Sequence, residues 1–275
     1  MQRLKRRSGW WLAGLTMILL SEFASAQTQK VIISTNMGDM TFVLYDDTPK
    51  HRDAFLQLAS EGYYNGTLFY RVINQFLIQG GSRSSRNAAP GKRIGYGDPD
   101  KTVDDEILPH YFHKKGALCA PRQPDEINPY KQSDISQFYI VTGRKYTEGQ
   151  LDTLEMAVNN PIRKKITDRI LNPSVREKLT QLREANKAEE FRAMAEPLRQ
   201  SIEAEYALQP GILEFSEEQK KAYTSLGGYP DLDGKYTVFG QCTAGFEVID
   251  KIAALKTDDN DRPFTDVKIT VKIVK

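Results

Sequence analysis

The sequence predicts a mainly β domain, a barrel or sandwich of short strands, interrupted once by a block of helices. Three observations predict it. Short apolar runs recur along the chain, set apart by Gly, Pro and Asn turn residues. Only two amphipathic helices accompany those runs, one early and one near the end. Residues 147–226 depart from this pattern and are rich in Glu, Lys, Arg, Ala and Leu.

The elements follow in order. Met1–Arg7 is basic, Gly9–Leu20 is apolar, and Ala24-Ser25-Ala26 supplies small residues, so 1–26 reads as a secretory signal cut before Gln27. The apolar stretch is too short to span a bilayer of about 30 Å. Lys30–Ser34 and Met40–Tyr45 flank Asn36-Met37-Gly38-Asp39 and read as a hairpin. A helix follows, with Thr48 as its cap, Pro49 at its first position, Gly62 at its end, and Phe55 and Leu58 facing inward. His51 is expected on its exposed side. Further strands are expected at Leu68–Ile73, Phe76–Gln79, Ala117–Ala120, Phe138–Thr142 and Tyr236–Cys242. A second helix is expected from Gly245 to Leu255, with Phe246, Ile249, Ile252 and Leu255 on one face. Alternation of Val267, Ile269, Val271 and Ile273 with polar residues closes the chain as a half-buried strand.

Inside the helical block the start signals are Thr147 with Gln150, Asn160 before Pro161, Asn172 before Pro173, and Ser216 with Gln219. Pro197 is expected to kink or restart a helix. Val175, Leu179 and Leu182 form one apolar stripe, and Phe191, Met194, Leu198 and Ile202 another. Such stripes fold on themselves and on the β domain, or else serve as a lever for a partner.

Charge and composition exclude several functions. The whole chain carries a formal +2. Removing residues 1–26 takes away Arg3, Lys5, Arg6, Arg7 and Glu22, four cations and one anion, which leaves −1. A near-neutral chain has no electrostatic footprint for nucleic acid. No later segment is long and apolar enough for a membrane span. The three histidines lack ligand spacing with Cys or acids, so no metal and no cofactor are expected. Asp104-Asp105-Glu106 reads as a solvated loop. Cys119 and Cys242 read as buried thiols, although spacing leaves a disulfide open.

One stretch carries the chemistry. Arg71 and Ile73 share a face of their strand, as do Leu77 and Gln79. The run Gly62-Tyr63-Tyr64-Asn65-Gly66-Thr67-Leu68-Phe69-Tyr70-Arg71-Val72-Ile73, on to Gly81, resembles the cyclophilin signature. Ser136-Gln137-Phe138-Tyr139-Ile140 and Leu232-Asp233-Gly234-Lys235-Tyr236-Thr237-Val238-Phe239-Gly240 resemble two further motifs of that family in the same order. The resemblance covers about Lys30–Tyr146 and Gly227–Lys275. It implies an eight-stranded antiparallel closed barrel capped by two helices, here the domain 27–275 with an α-helical insertion at 147–226. It implies peptidyl-prolyl cis–trans isomerase activity on proline-containing peptides and unfolded exported proteins, in the periplasm or cell envelope, by a monomer without cofactor. Arg71 falls on the catalytic arginine and Gln79 on the glutamine that orients it. Phe76, Leu77 and Leu232 fall on the proline pocket. Gln137, Arg122 and Pro121 fall on the peptide groove. Tyr139 replaces a frequent phenylalanine and brings a hydroxyl to the pocket floor, Tyr236 replaces a frequent histidine, and Asp231 replaces a tryptophan common in eukaryotic members. A cyclophilin-shaped binding module or chaperone with little turnover is the alternative.

Overall fold

The computed structural model describes residues 29–274, so the expected signal segment 1–26 lies outside the described residues. The chain opens with β1 (Lys30–Thr35) and β2 (Gly38–Leu44), paired around a two-residue turn. Thr35 latches that turn: its Oγ1 accepts from Met37 N–H at 3.0 Å and donates to the Gly38 carbonyl at 2.9 Å. Gly38 has φ 132°, and a Cβ there would meet Val248 at 2.7 Å, so the turn requires glycine. Helix α1 (Pro49–Ser60) follows, then β3 (Phe69–Ile73), β4 (Leu77–Gly80), β5 (Thr102–Val103), β6 (Ala117–Cys119), β7 (Ser133–Asp134) and β8 (Phe138–Val141). After the helical segment come β9 (Val238–Ala244), a helix at Phe246–Ala253 and β10 (Ile269–Val274).

Eight strands form one antiparallel sheet in the order β10-β1-β2-β9-β6-β8-β4-β3, while β5 and β7 make a separate small ribbon that the sequence did not signal. The sheet curls around an apolar interior. Phe138 is its aromatic hub, with Phe55 at 5.7 Å, Tyr64 at 5.5 Å and Phe69 at 5.9 Å, all edge-on. The sheet does not close fully into the barrel that the resemblance implies. No ladder joins β3 to β10; the seam holds one bridge, Leu68 to Lys268, and backbone bonds such as Ile269 N–H to the Thr67 carbonyl at 2.8 Å. Beyond Leu68, a bulge opens β3, and the Asp261 carbonyl takes the Val72 N–H at 2.8 Å in place of a strand partner. In the last strand Ile269 and Val271 are buried as expected, but Ile273 is 37% exposed.

Helix α1 buries Phe55 and Leu58, and the late helix buries Val248, Ile249 and Ile252. Two expectations for α1 fail together. Thr48 makes no cap; its hydroxyl donates to the Tyr45 carbonyl at 3.3 Å. The cap is Glu106, whose carboxylate accepts from the N–H groups of Lys50 and His51, both at 3.0 Å, and meets His51 Nδ1 at 2.7 Å. His51 is therefore fully buried rather than exposed, and Glu106 is a structural carboxylate rather than part of a solvated loop. Local sequence could not show a cap supplied from 55 residues away.

The helical segment holds α2 (Glu148–Ile170), α3 (Pro173–Glu184), α4 (Ala188–Ala207) and α5 (Glu217–Ser225), which makes the Phe246–Ala253 helix α6. Thr147 with Gln150 and Ser216 with Gln219 form complete capping boxes, and Asn172 caps α3. Asn160 starts nothing: α2 runs through Pro161, just as α4 runs through Pro197. Each proline loses one backbone hydrogen bond. At Asn159, two residues before Pro161, a reciprocal pair with the Leu213 backbone at 2.8 and 2.9 Å fixes the helix to the returning chain. The base of the segment shares a core with the β domain, made of Phe112, Tyr146, Leu151, Phe215 and Tyr223. Farther out, Ile166 and Ile202 are buried among α2 and α4, and α3 buries no residue. The apolar stripes thus fold partly on one another and partly on the barrel. Both ends of the segment meet at Gly228, whose backbone bonds Arg144 in both directions at 3.0 Å.

Candidate active site

Strands β4, β6 and β8 are buried on both faces. On β8, Phe138 and Ile140 point into the barrel, whereas Tyr139 and Val141 point outward. On β6, Leu118 points in, and Ala117 and Cys119 point out. The outward set joins Leu77 and Val238 in a second apolar cluster, against which Phe76, Tyr229, Leu232 and Tyr236 pack. The structure therefore gathers Phe76, Leu77, Tyr139, Leu232 and Tyr236, all anticipated, on one outer patch. Tyr229, 4.5 Å from Phe76 between ring centroids, completes that wall and was not anticipated.

Arg71 stands at the edge of this patch. It lies opposite Gln79 in the ladder, and Gln79 lies opposite Tyr139, so register places all three side by side. The guanidinium is 5.9 Å from the Phe76 ring centre, and its side chain stays 38% exposed. Its carboxylate partner is Asp261, at 3.5 Å from Nε, on a turn residue held at φ 60°. Across the ladder from Arg71, Gln79 has its amide nitrogen engaged elsewhere. That group donates to Tyr70 Oη at 2.8 Å and to Gln137 Oε1 at 3.3 Å. The reason is the bulge in β3, which sets Tyr70 and Arg71 together against Gln79 and turns the Tyr70 hydroxyl onto Gln79 and Gln137. Beside Arg71 opens a cavity of about 240 Å³, walled by Tyr70, Arg93, Ile94 and the 260–262 turn.

Gln137 is 3% exposed, and its amide nitrogen donates to Asp134 at 2.6 Å. Burial pushes the Asp134 carboxyl above its usual range, against the pull of bonds from Ser136 and Gln137. Gln137 thus braces Gln79 and Tyr70 from behind. Arg122 lies 5.0 Å from the Tyr236 ring centre, donates to the Lys235 carbonyl at 2.8 Å, and pairs with Asp125 at 2.5 Å. Pro121 precedes it, with its carbonyl bonded to Asp134 N–H at 2.8 Å, and stands outside the apolar cluster.

Tyr139 does not present its hydroxyl on the patch. The hydroxyl faces His113 Nε2 at 3.0 Å, and the ring is buried beneath the patch. His113 carried no usable spacing in the sequence, yet it is fully buried behind this floor. Cys119 and Cys242 are free buried thiols; burial pushes Cys119 far up and Cys242 to about 11, so both are poor nucleophiles. Among the described residues, no group of three or more His, Cys, Asp or Glu side chains is arranged to hold a metal.

An apolar cluster on the outer wall of an antiparallel barrel, partly exposed at Phe76, Tyr229, Leu232 and Tyr236 and bordered by an arginine, is a surface on which a ring can pack beside a cation. A family model of cyclophilin-type peptidyl-prolyl cis–trans isomerases/CLD matches residues 30–159 and 173–273. A Staphylococcus saprophyticus protein named as a peptidyl-prolyl cis–trans isomerase is 31% identical over 248 residues, covering 90% of this chain and 92% of its own. One of the same name from Staphylococcus haemolyticus is 30% identical over 241 residues, with 87% and 88% covered. The crystal structure of a Cryptosporidium parvum cyclophilin-type isomerase superposes with a TM-score of 0.51 at 21% identity, over 90% of this chain and 99% of that one, a likeness of fold. The chain belongs to the cyclophilin-type peptidyl-prolyl cis–trans isomerase family.

Proposed function

We propose that this chain is a peptidyl-prolyl cis–trans isomerase in which Arg71 acts on a proline held by Phe76, Leu77, Tyr139, Leu232 and Tyr236. The observation that carries the reading is the placement of a half-exposed guanidinium at the border of that apolar patch. Rotation about a peptide bond faces a barrier of about 18–20 kcal/mol from amide resonance. X–Pro isomers differ by only about 0.5–1 kcal/mol, so both occur and exchange slowly. The catalyst must bind the twisted bond better than either planar form. With Nε turned to Asp261, the outer nitrogens of Arg71 are the donors for the imide nitrogen as it pyramidalises and for the neighbouring carbonyl. A 10⁴-fold acceleration needs about 5.4 kcal/mol. One charge-assisted hydrogen bond supplies roughly 1.5–3 kcal/mol, so a second bond from the guanidinium fork and the orientation of the held peptide supply the rest.

The test is an X–Pro peptide isomerisation assay on the chain from Gln27 onward. Arg71→Ala is expected to lower kcat/KM about a hundredfold. Arg71→Lys should also lose most activity, because a point charge lacks the planar fork. Wild-type kcat/KM in Arg71→Ala would overturn the mechanism, and no acceleration by the wild type would favour a binding module of the same shape. The segment 1–26 supports a further part of the reading: the enzyme is exported and acts on folding proteins in the periplasm or cell envelope. Among the described residues no helix is long and apolar enough to cross a membrane.

A further inference from the structure

Placing a tyrosine at the buried pocket floor sets off a chain of requirements. A buried hydroxyl needs a partner. His113 Nε2 provides it at 3.0 Å, in a ring that is itself fully buried and lies nearly parallel to Tyr139, at an interplanar angle of 10°. The other ring nitrogen, Nδ1, lies 2.9 Å from Asp233 Oδ1. An ionised carboxylate only accepts, so Nδ1 carries the hydrogen there, and in the neutral ring Nε2 accepts from Tyr139. Asp233 Oδ1 also takes the His113 backbone N–H at 2.8 Å. Its second oxygen takes Tyr223 Oη–H at 2.6 Å and Gln219 Nε2–H at 3.3 Å. Both of these donors stand on α5, the last helix of the insertion, and the Tyr223 side chain is fully buried.

This network touches the pocket at both ends. Asp233 directly follows Leu232, a pocket residue. Tyr139 meets Tyr236 edge-on at 6.1 Å, and Tyr236 in turn meets His113 at 6.4 Å. The approach is tight: a Cβ on Gly228 would lie 2.4 Å from the His113 carbonyl and 2.5 Å from the Tyr223 ring. Tyr229, next along, packs on Phe76. Helix α5 is thus joined to the pocket by hydrogen bonds on one side and by the chain itself on the other.

We propose that His113 and Asp233 are positioning residues of the isomerase, and that Tyr223 on α5 holds them, so that the root of the helical insertion sets the shape of the proline pocket. The proposal rests on the isomerase reading above. None of the three touches the reacting bond. They act by fixing the Tyr139 ring and the Leu232 loop, which grip the prolyl ring in ground and transition states alike. Loosening them should therefore raise KM more than it lowers kcat.

The experiment compares Tyr223→Phe, Tyr139→Phe and the double variant in the chain from Gln27 onward, well below their melting temperatures, with Arg71→Ala alongside. Each single change removes one hydroxyl and keeps the ring. Each is expected to lower kcat/KM about fivefold to tenfold, mainly through KM. The double variant is expected to lose little more than either single one, because the two hydroxyls serve one chain of bonds. The ¹⁵N signals of the His113 ring provide a readout that needs no turnover: they should shift in Tyr223→Phe although Tyr223 does not bond the imidazole. If Tyr223→Phe fails to fold, Asp233→Asn takes its place in the cycle. Wild-type KM and kcat with an unmoved His113 signal would overturn the proposal, as would fully additive losses. If the wild type shows no Arg71-dependent acceleration, the isomerase reading fails instead, and the His113 signal still decides whether α5 reaches the pocket floor.

Discussion

At the scale of single residues, the legible part was what strand alternation and motif could place. Arg71, Phe76, Leu77, Tyr139, Leu232 and Tyr236 do come together. What stayed hidden depends on partners distant in sequence. Asp261 lies 190 positions beyond Arg71, and the bulge that turns Tyr70 onto Gln79 has no residue signature of its own. His51 shows the same limit and yields a prediction. Burial drives its pKa below the ordinary 6.5, outweighing the opposing bond and charge of Glu106. As pH falls through the unfolded value near 6.5, the unfolded chain takes up a proton that the native ring refuses, so stability falls. One such proton accounts for at most about 1.4 kcal/mol per pH unit. His51→Gln is expected to flatten the slope of melting temperature against pH between roughly pH 7 and 5. An unchanged slope would show that other groups set the acid sensitivity.

Elements were legible where their signals are local. Both capping boxes and the Asn172 cap stand where the sequence puts them, because a cap needs only three residues of separation. Helix interiors were less legible. Pro161 and Pro197 read as breaks, yet packing among α2, α3 and α4 outweighs one lost hydrogen bond at each. The segment also has two parts that composition cannot separate. Its base packs with Phe112 and reaches Asp233, while the arm beyond Asn159 and Leu213 packs mainly on itself. Replacing residues 160–212 by a short glycine–serine linker is therefore expected to keep cooperative unfolding and isomerase activity, since Asn159 and Leu213 already meet. Replacing all of 147–226 removes Leu151, Phe215 and Tyr223, exposes Phe112 and leaves Asp233 short of two donors. That chain is expected to lose several kcal/mol of stability. Denaturant unfolding of the two deletions side by side distinguishes a dispensable arm from a required base.

At the scale of the whole molecule, the proposed export makes one prediction. The only tryptophans are Trp10 and Trp11, so cleavage before Gln27 leaves a chain with tyrosine emission and no indole emission. Indole fluorescence from protein recovered from the periplasm would show that the N-terminal segment is retained. By itself, the sequence determined the family, the count and order of the main strands, the two packing helices and the place of the helical block. These follow from patterns of two to four residues repeated along the chain, together with three ordered motifs, and such patterns survive without knowledge of distant contacts. Tertiary structure alone decided the open β3–β10 seam, the capping of α1 by Glu106, the pairing of Arg71 with Asp261, and the link from α5 through Asp233 and His113 to Tyr139. Each is a polar or backbone group whose partner is supplied by a remote segment. A buried donor or acceptor must find a partner to avoid a desolvation cost, but no local rule states which part of the chain will bring it.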